Sequence, residues 1–156
     1  MVRRVLRVLP WVVLTEGVGG LSAWLTRDGM AELDALRQPP LTPPRAVFPV
    51  VWAALYALMG WGAARVAGTP PGQGRKRALT AFFCQLGANA LWTVMFFGLG
   101  WRGTALLWLM VLWGLILWML RAFSQVDPLA GRLQLPYLLW VTFAGYLNLG
   151  IWWLNR

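Results

Sequence analysis

Five stretches of about twenty mostly apolar residues constrain this chain more than any other feature: 5–25, 48–66, 79–99, 103–123 and 135–154. A hydrocarbon layer of about 30 Å is crossed by a helix of about 20 apolar residues. Charges and proline clusters fall between the stretches, as required where ionised groups and broken backbone cannot face lipid. The ten-residue alternation of an outer-membrane barrel is missing. The predicted fold class is therefore an all-α membrane protein, a five-transmembrane-helix bundle, with residues 1–156 forming one membrane domain. Composition agrees, since 59% of residues are hydrophobic and 12% charged, about half the charged share of a soluble domain.

Arg3, Arg4 and Arg7 ahead of an apolar run imitate a signal peptide. The length of that run and the lack of a small-residue cleavage site predict instead that it stays as the first helix. A net charge of +9 would suggest nucleic acid in a soluble protein, but here the basic residues sit at segment ends and no nucleic-acid partner is predicted. Arg3, Arg4, Arg7, Arg65, Arg75, Lys76, Arg77, Arg121 and Arg132 fall on one side, and Arg27, Arg37, Arg45, Arg102 and Arg156 on the other. The positive-inside rule then predicts a multi-pass protein of a bacterial membrane with its N-terminus cytoplasmic.

The chain has no histidine and one cysteine, Cys84. No intrachain disulfide can form, and no Cys/His cluster has metal-ligand spacing. The usual haem axial ligand, zinc ligand and neutral-pH general base are all missing. Neither a metal site nor an obligatory cofactor is expected, and a triad or metallohydrolase is excluded. Cys84 is expected to be a buried structural thiol.

Residues 26–47 form the one long connection, stiffened by Pro39, Pro40, Pro43 and Pro44, with Leu33 and Leu36 predicting a brief helical turn before them. Long connections act as lids or binding loops; a plain spacer is the alternative. The second loop, about 67–76, reads as a flexible basic connector, and Asp127-Pro128 with Ala130-Gly131 as turn chemistry. Pro49 and Pro136 mark helix starts. Of twelve tryptophans, Trp11, Trp24, Trp101, Trp152 and Trp153 suit interfacial anchoring. Trp108, Trp113 and Trp118 spread around the fourth helix, so several must touch lipid. Gly19/Ala23, Ala53/Ala57 and Gly60/Ala64 are small-residue pairs that permit close helix approach.

Within the apolar run Phe82 to Phe97, Gln85, Asn89, Trp92 and Phe96 share one helical face. A carboxamide facing lipid would be unsatisfied, so this face is predicted to look into the bundle. The fifth helix offers Trp140, Ala144 and Asn148 at four-residue spacing, with Tyr137 nearby, and the second offers Pro49, Trp52, Tyr56 and Gly60. Aromatic planes with a few polar groups are the composition of a ligand pocket; amides that merely lock helices together are the alternative. Glu16, deep in the first helix, poses a similar choice between a functional carboxyl and one near the interface.

Three separated motifs go further: Pro43-Pro44-Arg45-Ala46-Val47-Phe48-Pro49-Val50-Val51-Trp52-Ala53-Ala54-Leu55-Tyr56; Gln85-Leu86-Gly87-Ala88-Asn89-Ala90-Leu91-Trp92 with Phe96-Phe97; and Pro136-Tyr137-Leu138-Leu139-Trp140 followed by Leu147-Asn148. In this order the chain resembles the tryptophan-rich sensory protein or translocator protein (TspO/MBR) family from about Leu36 to Asn155. The resemblance implies a five-helix bundle that binds porphyrins, including haem and protoporphyrin, between its helices under the first loop. In many members sterols and benzodiazepine-type ligands also bind, and members are often homodimers. It implies tetrapyrrole transport, sensing or scavenging as the function. Carried onto this chain, the ligand-binding positions are Trp52, Tyr56, Gln85, Asn89, Trp92, Phe96, Trp140, Ala144 and Asn148, with Pro43 and Pro44 in the lid. Two alternatives accompany it: a light-dependent protoporphyrin-degrading enzyme acting through Trp52, and a membrane scaffold that binds no small molecule.

The chain departs from the family in its first loop. Where Lys-Pro-x-Trp-x-Pro-Pro is usual, Gln38-Pro39-Pro40-Leu41-Thr42-Pro43-Pro44 lacks the Lys and the Trp. Val94 replaces a frequent Pro, and Arg156 lies too far from Tyr146 for the sterol pattern of the fifth helix.

Overall fold

The computed structural model describes residues 1–156. It contains no strand. Its helices are α1 (Val2–Leu25), α2 (Arg27–Asp34), α3 (Val47–Ala67), α4 (Gln73–Thr93), α5 (Arg102–Val126), α6 (Pro128–Arg132) and α7 (Leu135–Leu154), with a π-helical turn, Val94–Gly98, continuing α4. Five of these, α1, α3, α4 with its π turn, α5 and α6–α7 together, are long and apolar enough to cross a bilayer. The chain is an all-α, five-helix membrane bundle, as its periodicity predicts.

Boundaries move where the sequence stays helix-compatible outside the oil. Helix α4 starts at Gln73, six residues before the apolar run, because Gln, Arg and Lys are good helix formers and water solvates their side chains. The second connection thereby shrinks to residues 68–72. The anticipated turn at Asp127-Pro128 is instead a helix start. Pro128 occupies the first turn of α6, and the Asp127 carboxylate accepts from the backbone N–H of Leu129 at 2.9 Å and Ala130 at 3.2 Å.

Backbones approach closely between α1 and α3, α4 and α5, and α5 and α7, and α4 also touches α1 and α3. Glycine decides the α1–α3 seam: a Cβ on Gly60 would strike the Val12 backbone, and one on Gly19 would strike the Tyr56 ring. Of the small-residue positions in the sequence, these two carry the close approach, whereas Ala53 is exposed. Helices α3 and α7 are not in close backbone contact. At one end α6 and Gln134, whose Nε2 donates to the Leu58 carbonyl at 3.2 Å, fill the space between them. That half is dense, with Met59, Phe82, Met119, Phe123 and Tyr137 fully buried. Toward the other end the gap is bridged only by rings, Phe48 meeting Trp140 edge-on at 5.9 Å.

The 26–47 connection covers that open end. Its predicted helical turn is the two-turn helix α2, which sits on the π turn so tightly that a Cβ on Gly29 would collide with the Phe97 carbonyl. The proline stretch beyond is tied to α7: Arg37 N–H donates to Asn155 Oδ1 and Asn155 Nδ2 returns to the Arg37 carbonyl, both at 2.9 Å, while Tyr146 Oη donates to the Pro40 carbonyl at 2.7 Å. Pro39 is buried against Gly150.

Trp113 and Trp118 are more than a third exposed on the outer surface, as the spread of indoles around this helix requires. Cys84 corrects an expectation. It is exposed on α4, because it shares the helix's outward stripe with Thr80, Gly87 and Leu91, at spacings of four, three and four residues.

Candidate functional site

Beneath α2 the gap between α3 and α7 is a cavity of about 180 Å³. Trp52 comes from α3, Trp92 and Phe96 from α4 and its π turn, and Trp140, Ala144 and Asn148 from α7; Pro43 closes it from the loop. Six of the nine predicted binding positions and one of the two lid prolines thus meet around one space. The π turn has a visible effect here. With i→i+5 bonding, Leu99 N–H reaching the Val94 carbonyl at 2.8 Å, Phe96 stacks on Trp92 at 5.4 Å and Phe97 meets the same indole edge-on at 6.0 Å. Both neighbours reach the wall, which an undistorted helix would disfavour.

Three predicted positions lie elsewhere. Gln85 and Asn89 are fully buried but outside the cavity lining. Asn89 Nδ2 donates to Tyr137 Oη at 2.8 Å, and Tyr137 Oη donates to Gln85 Oε1 at 2.7 Å. Tyr56 Oη reaches Asn89 Oδ1 at 3.5 Å, and Gln85 Nε2 faces the Met59 sulfur at 3.7 Å. The amides therefore join α3, α4 and α7 below the cavity floor. The physical reason is Tyr137: a phenol on a facing helix can satisfy an amide that a vacant cavity would leave unpaired. Tyr56 is buried at the side of Trp52, ring centroids 5.7 Å apart, and borders a second cavity instead. Pro44 is exposed and outside the lining, and Glu16 is half-buried on α1, also outside it.

Asn148 lines the cavity yet has its polar atoms engaged. Its Oδ1 accepts from Trp92 Nε1 at 3.2 Å and its Nδ2 donates to the Arg102 carbonyl at 2.8 Å. This fixes the Trp92 ring. The indole N–H groups of Trp52 and Trp140 donate to no protein acceptor, unlike those of Trp92, Trp108 and Trp113.

The rim is polar and comes from residues the sequence patterns pass over: Asp34, Gln38, Thr42 and Arg45. Arg45 pairs with Asp34 across the mouth, both side chains more than half exposed. Such a pair is weak and easily exchanged. The sequence pattern places Tyr137 only near the Trp140–Ala144–Asn148 face and misses its role as the amides' partner. The rim was not legible, because loop residues carry no periodicity.

The arrangement can hold an apolar molecule among aromatic walls and place one guanidinium at the mouth. It holds no acid–base pair in contact with the cavity floor.

The sequence profile of the TspO/MBR family matches residues 11–154. A tryptophan-rich sensory protein of Cereibacter sphaeroides is 44% identical over 115 residues, covering 74% of this chain and 71% of its own length. The protein CrtK of Rhodobacter capsulatus is 41% identical over 123 residues, covering 78% and 77%. The translocator protein of Bos taurus is 35% identical over 156 residues, covering 94% and 92%. With the five-helix bundle, the capped aromatic cavity and these matches together, the chain belongs to the TspO/MBR family.

Proposed function

We propose that this integral membrane protein binds a flat hydrophobic tetrapyrrole, of the porphyrin or haem type, in the cavity under α2, and acts in its transport, sensing or scavenging. The observation that carries the reading is the lining itself, in which Trp52, Trp92, Phe96 and Trp140 surround one space between three helices. Ring stacking on indole supplies affinity, Trp52 and Trp140 donate to the pyrrole or carboxylate edge, and Arg45 meets a propionate at the mouth. The names of the relatives, a sensory protein and a translocator, fit a ligand that is reported or moved. At about 180 Å³ the closed cavity is below the roughly 300–1,000 Å³ of pockets for drug-sized ligands, so α2 and the proline stretch must lift to admit the ring.

Protoporphyrin titrated into purified protein tests this through quenching of tryptophan fluorescence. Saturable quenching is expected, weakened at least about tenfold by Ala144→Phe, which fills the cavity with a ring and costs the displaced stacking. Non-saturable quenching, or equal affinity in a folded Ala144→Phe protein, would overturn the reading.

A second reading is light-dependent degradation of protoporphyrin. Trp52 favours it, lying within 5.7 Å of Tyr56, 6.4 Å of Trp92 and 6.3 Å of Tyr137, centroid to centroid, in a row of oxidisable rings. Illumination with bound pigment separates the two, since a binder leaves the pigment spectrum unchanged and Trp52→Phe would abolish any bleaching by a degrader.

A further inference from the structure

A second cavity, of about 320 Å³, lies on the other side of the Trp52–Trp92 wall, between the loop-side halves of α1 and α3. Its geometry follows from the glycine seam. The helices touch at Gly60 and again at Gly19, where the Tyr56 ring closes the floor, and diverge from there to α2. From Gly19 to Thr26 is seven residues, a depth of about 10 Å. Hydroxyls on this face are turned onto their own helix: Ser22 Oγ donates to the Val18 carbonyl at 2.8 Å and Thr26 Oγ1 to the Ser22 carbonyl at 2.7 Å. The groove therefore presents an apolar interior. Ala23 and Pro49 in its lining are exposed, so the groove is open at its side.

Charge distinguishes this groove from the central cavity. Arg27 and Arg45 stand at its mouth; Arg45 is paired with Asp34, which borders the central cavity, whereas Arg27 has no carboxylate partner and no carboxylate lines the groove itself. Arg27 is held there by its bond to the Trp24 carbonyl at 2.8 Å and by lying 4.8 Å over the Trp24 ring. An apolar slot of limited depth, open at its side and topped by the unpaired Arg27 guanidinium and by Arg45, whose exposed pair with Asp34 is weak, complements a single hydrocarbon chain ending in an anion.

We propose that the α1–α3 groove is a binding site for a single-chain anionic amphiphile of the fatty-acid type, its chain against Gly19, Ala23 and Trp52 and its carboxylate between Arg27 and Arg45. It is distinct from the tetrapyrrole reading and does not depend on it. Because Trp52 and Trp92 border both spaces, a chain in the groove bears on the wall of the central cavity.

The test uses the full chain in phosphatidylcholine nanodiscs with decanoic acid carrying a terminal diazirine, photolysed and mapped by peptide mass spectrometry. Adducts are expected on residues 19–26 and 48–56. The matching alcohol should label them about tenfold less, since it loses the charge-assisted hydrogen bonds, and Arg27→Gln should have a similar effect on the acid. Ala23→Trp fills the groove from its exposed edge and should remove these adducts; an unchanged melting temperature shows that the variant folds. Labelling spread evenly over the lipid-facing sides of α5 and α7, equal labelling by acid and alcohol, or adducts that survive Ala23→Trp would each overturn the proposal. So would labelling of the groove by a two-chain anionic phospholipid carrying the same group where decanoic acid gives none.

Discussion

Asn89 shows how a side chain can be correctly placed on the inner face and still do other work than the one its depth suggests. Periodicity requires it to point into the bundle, and it does, but Tyr137 and Tyr56 receive it before any guest can. Asn89→Leu should therefore lower thermal stability, by about 1–3 kcal/mol for the donors and acceptor left unpaired. Protoporphyrin affinity should change by less than about threefold, and melting scans alongside the quenching titration check both. A large affinity loss at unchanged stability would return Asn89 to the ligand. Asp127 makes a second residue-level case, outside the membrane span. Partial burial pushes its carboxyl up, but the N–H groups of Ala130 and Leu129 and the Arg65 guanidinium, 2.8 Å away, outweigh that and hold it below the usual carboxylate range. A depressed folded value means its contribution is full above the unfolded value near ~3.9 and fades as pH falls through the folded value. Asp127→Ala should cost about 0.5–2 kcal/mol for the lost cap of α6. Asp127→Asn keeps the cap, costs less, and removes Asp127's share of the acid dependence in a melting series from pH 7 to 3.

The lid is where elements, more than single side chains, set the behaviour. Helix α2 and the proline stretch are held by a few tethers: the Asn155–Arg37 pair of bonds, Tyr146 on the Pro40 carbonyl and the fit of Gly29 on the π turn. None belongs to the cavity lining. Replacing Tyr146 with Phe and Asn155 with Ala should leave the bundle folded while freeing residues 35–46. Three hydrogen bonds are lost, each worth about 0.5–1.5 kcal/mol, so opening becomes about 10- to 2,000-fold more frequent. Hydrogen exchange of those amides should accelerate by that factor, and protoporphyrin should bind faster by stopped-flow; unchanged exchange would show that the tethers do not govern opening. The sequence marked residues 26–47 as a long, stiff connection with a short helical turn, through four prolines and the apolar pair Leu33 and Leu36, because stiff backbone and amphipathic spacing are local properties. It did not announce the π turn. A one-residue change in hydrogen-bond register leaves no compositional trace at Val94, and the anchoring of Pro40 depends on Tyr146, more than a hundred residues away.

At the scale of the whole molecule, the five spans, their order and the existence of a ring-lined space were legible, since bilayer thickness and helical periodicity act on every segment alike. What escaped was the split of that space. Trp52 and Trp92 divide it because α1 and α3 part only above Gly19, a consequence of which helices touch and where, and pairwise helix contacts leave only faint marks in one sequence. The bundle now gives the charge asymmetry a geometric meaning. Arg3, Arg4, Arg7, Arg65, Arg75, Lys76, Arg77, Arg121 and Arg132 gather at the densely packed end, and Arg27, Arg37, Arg45, Arg102 and Arg156 at the lidded end. Moving this excess of lysine and arginine across a membrane during insertion is disfavoured, so the lid and both cavity mouths are expected to face away from the cytoplasm. With Cys84→Ser as background, single cysteines at Gly72 and Gln38, both exposed, report the two ends. A membrane-impermeant maleimide applied to intact spheroplasts should label the Gln38→Cys protein and spare Gly72→Cys until the membrane is opened. The reverse pattern would place the lid in the cytoplasm, and an anionic or tetrapyrrole ligand would then have to reach it from inside the cell.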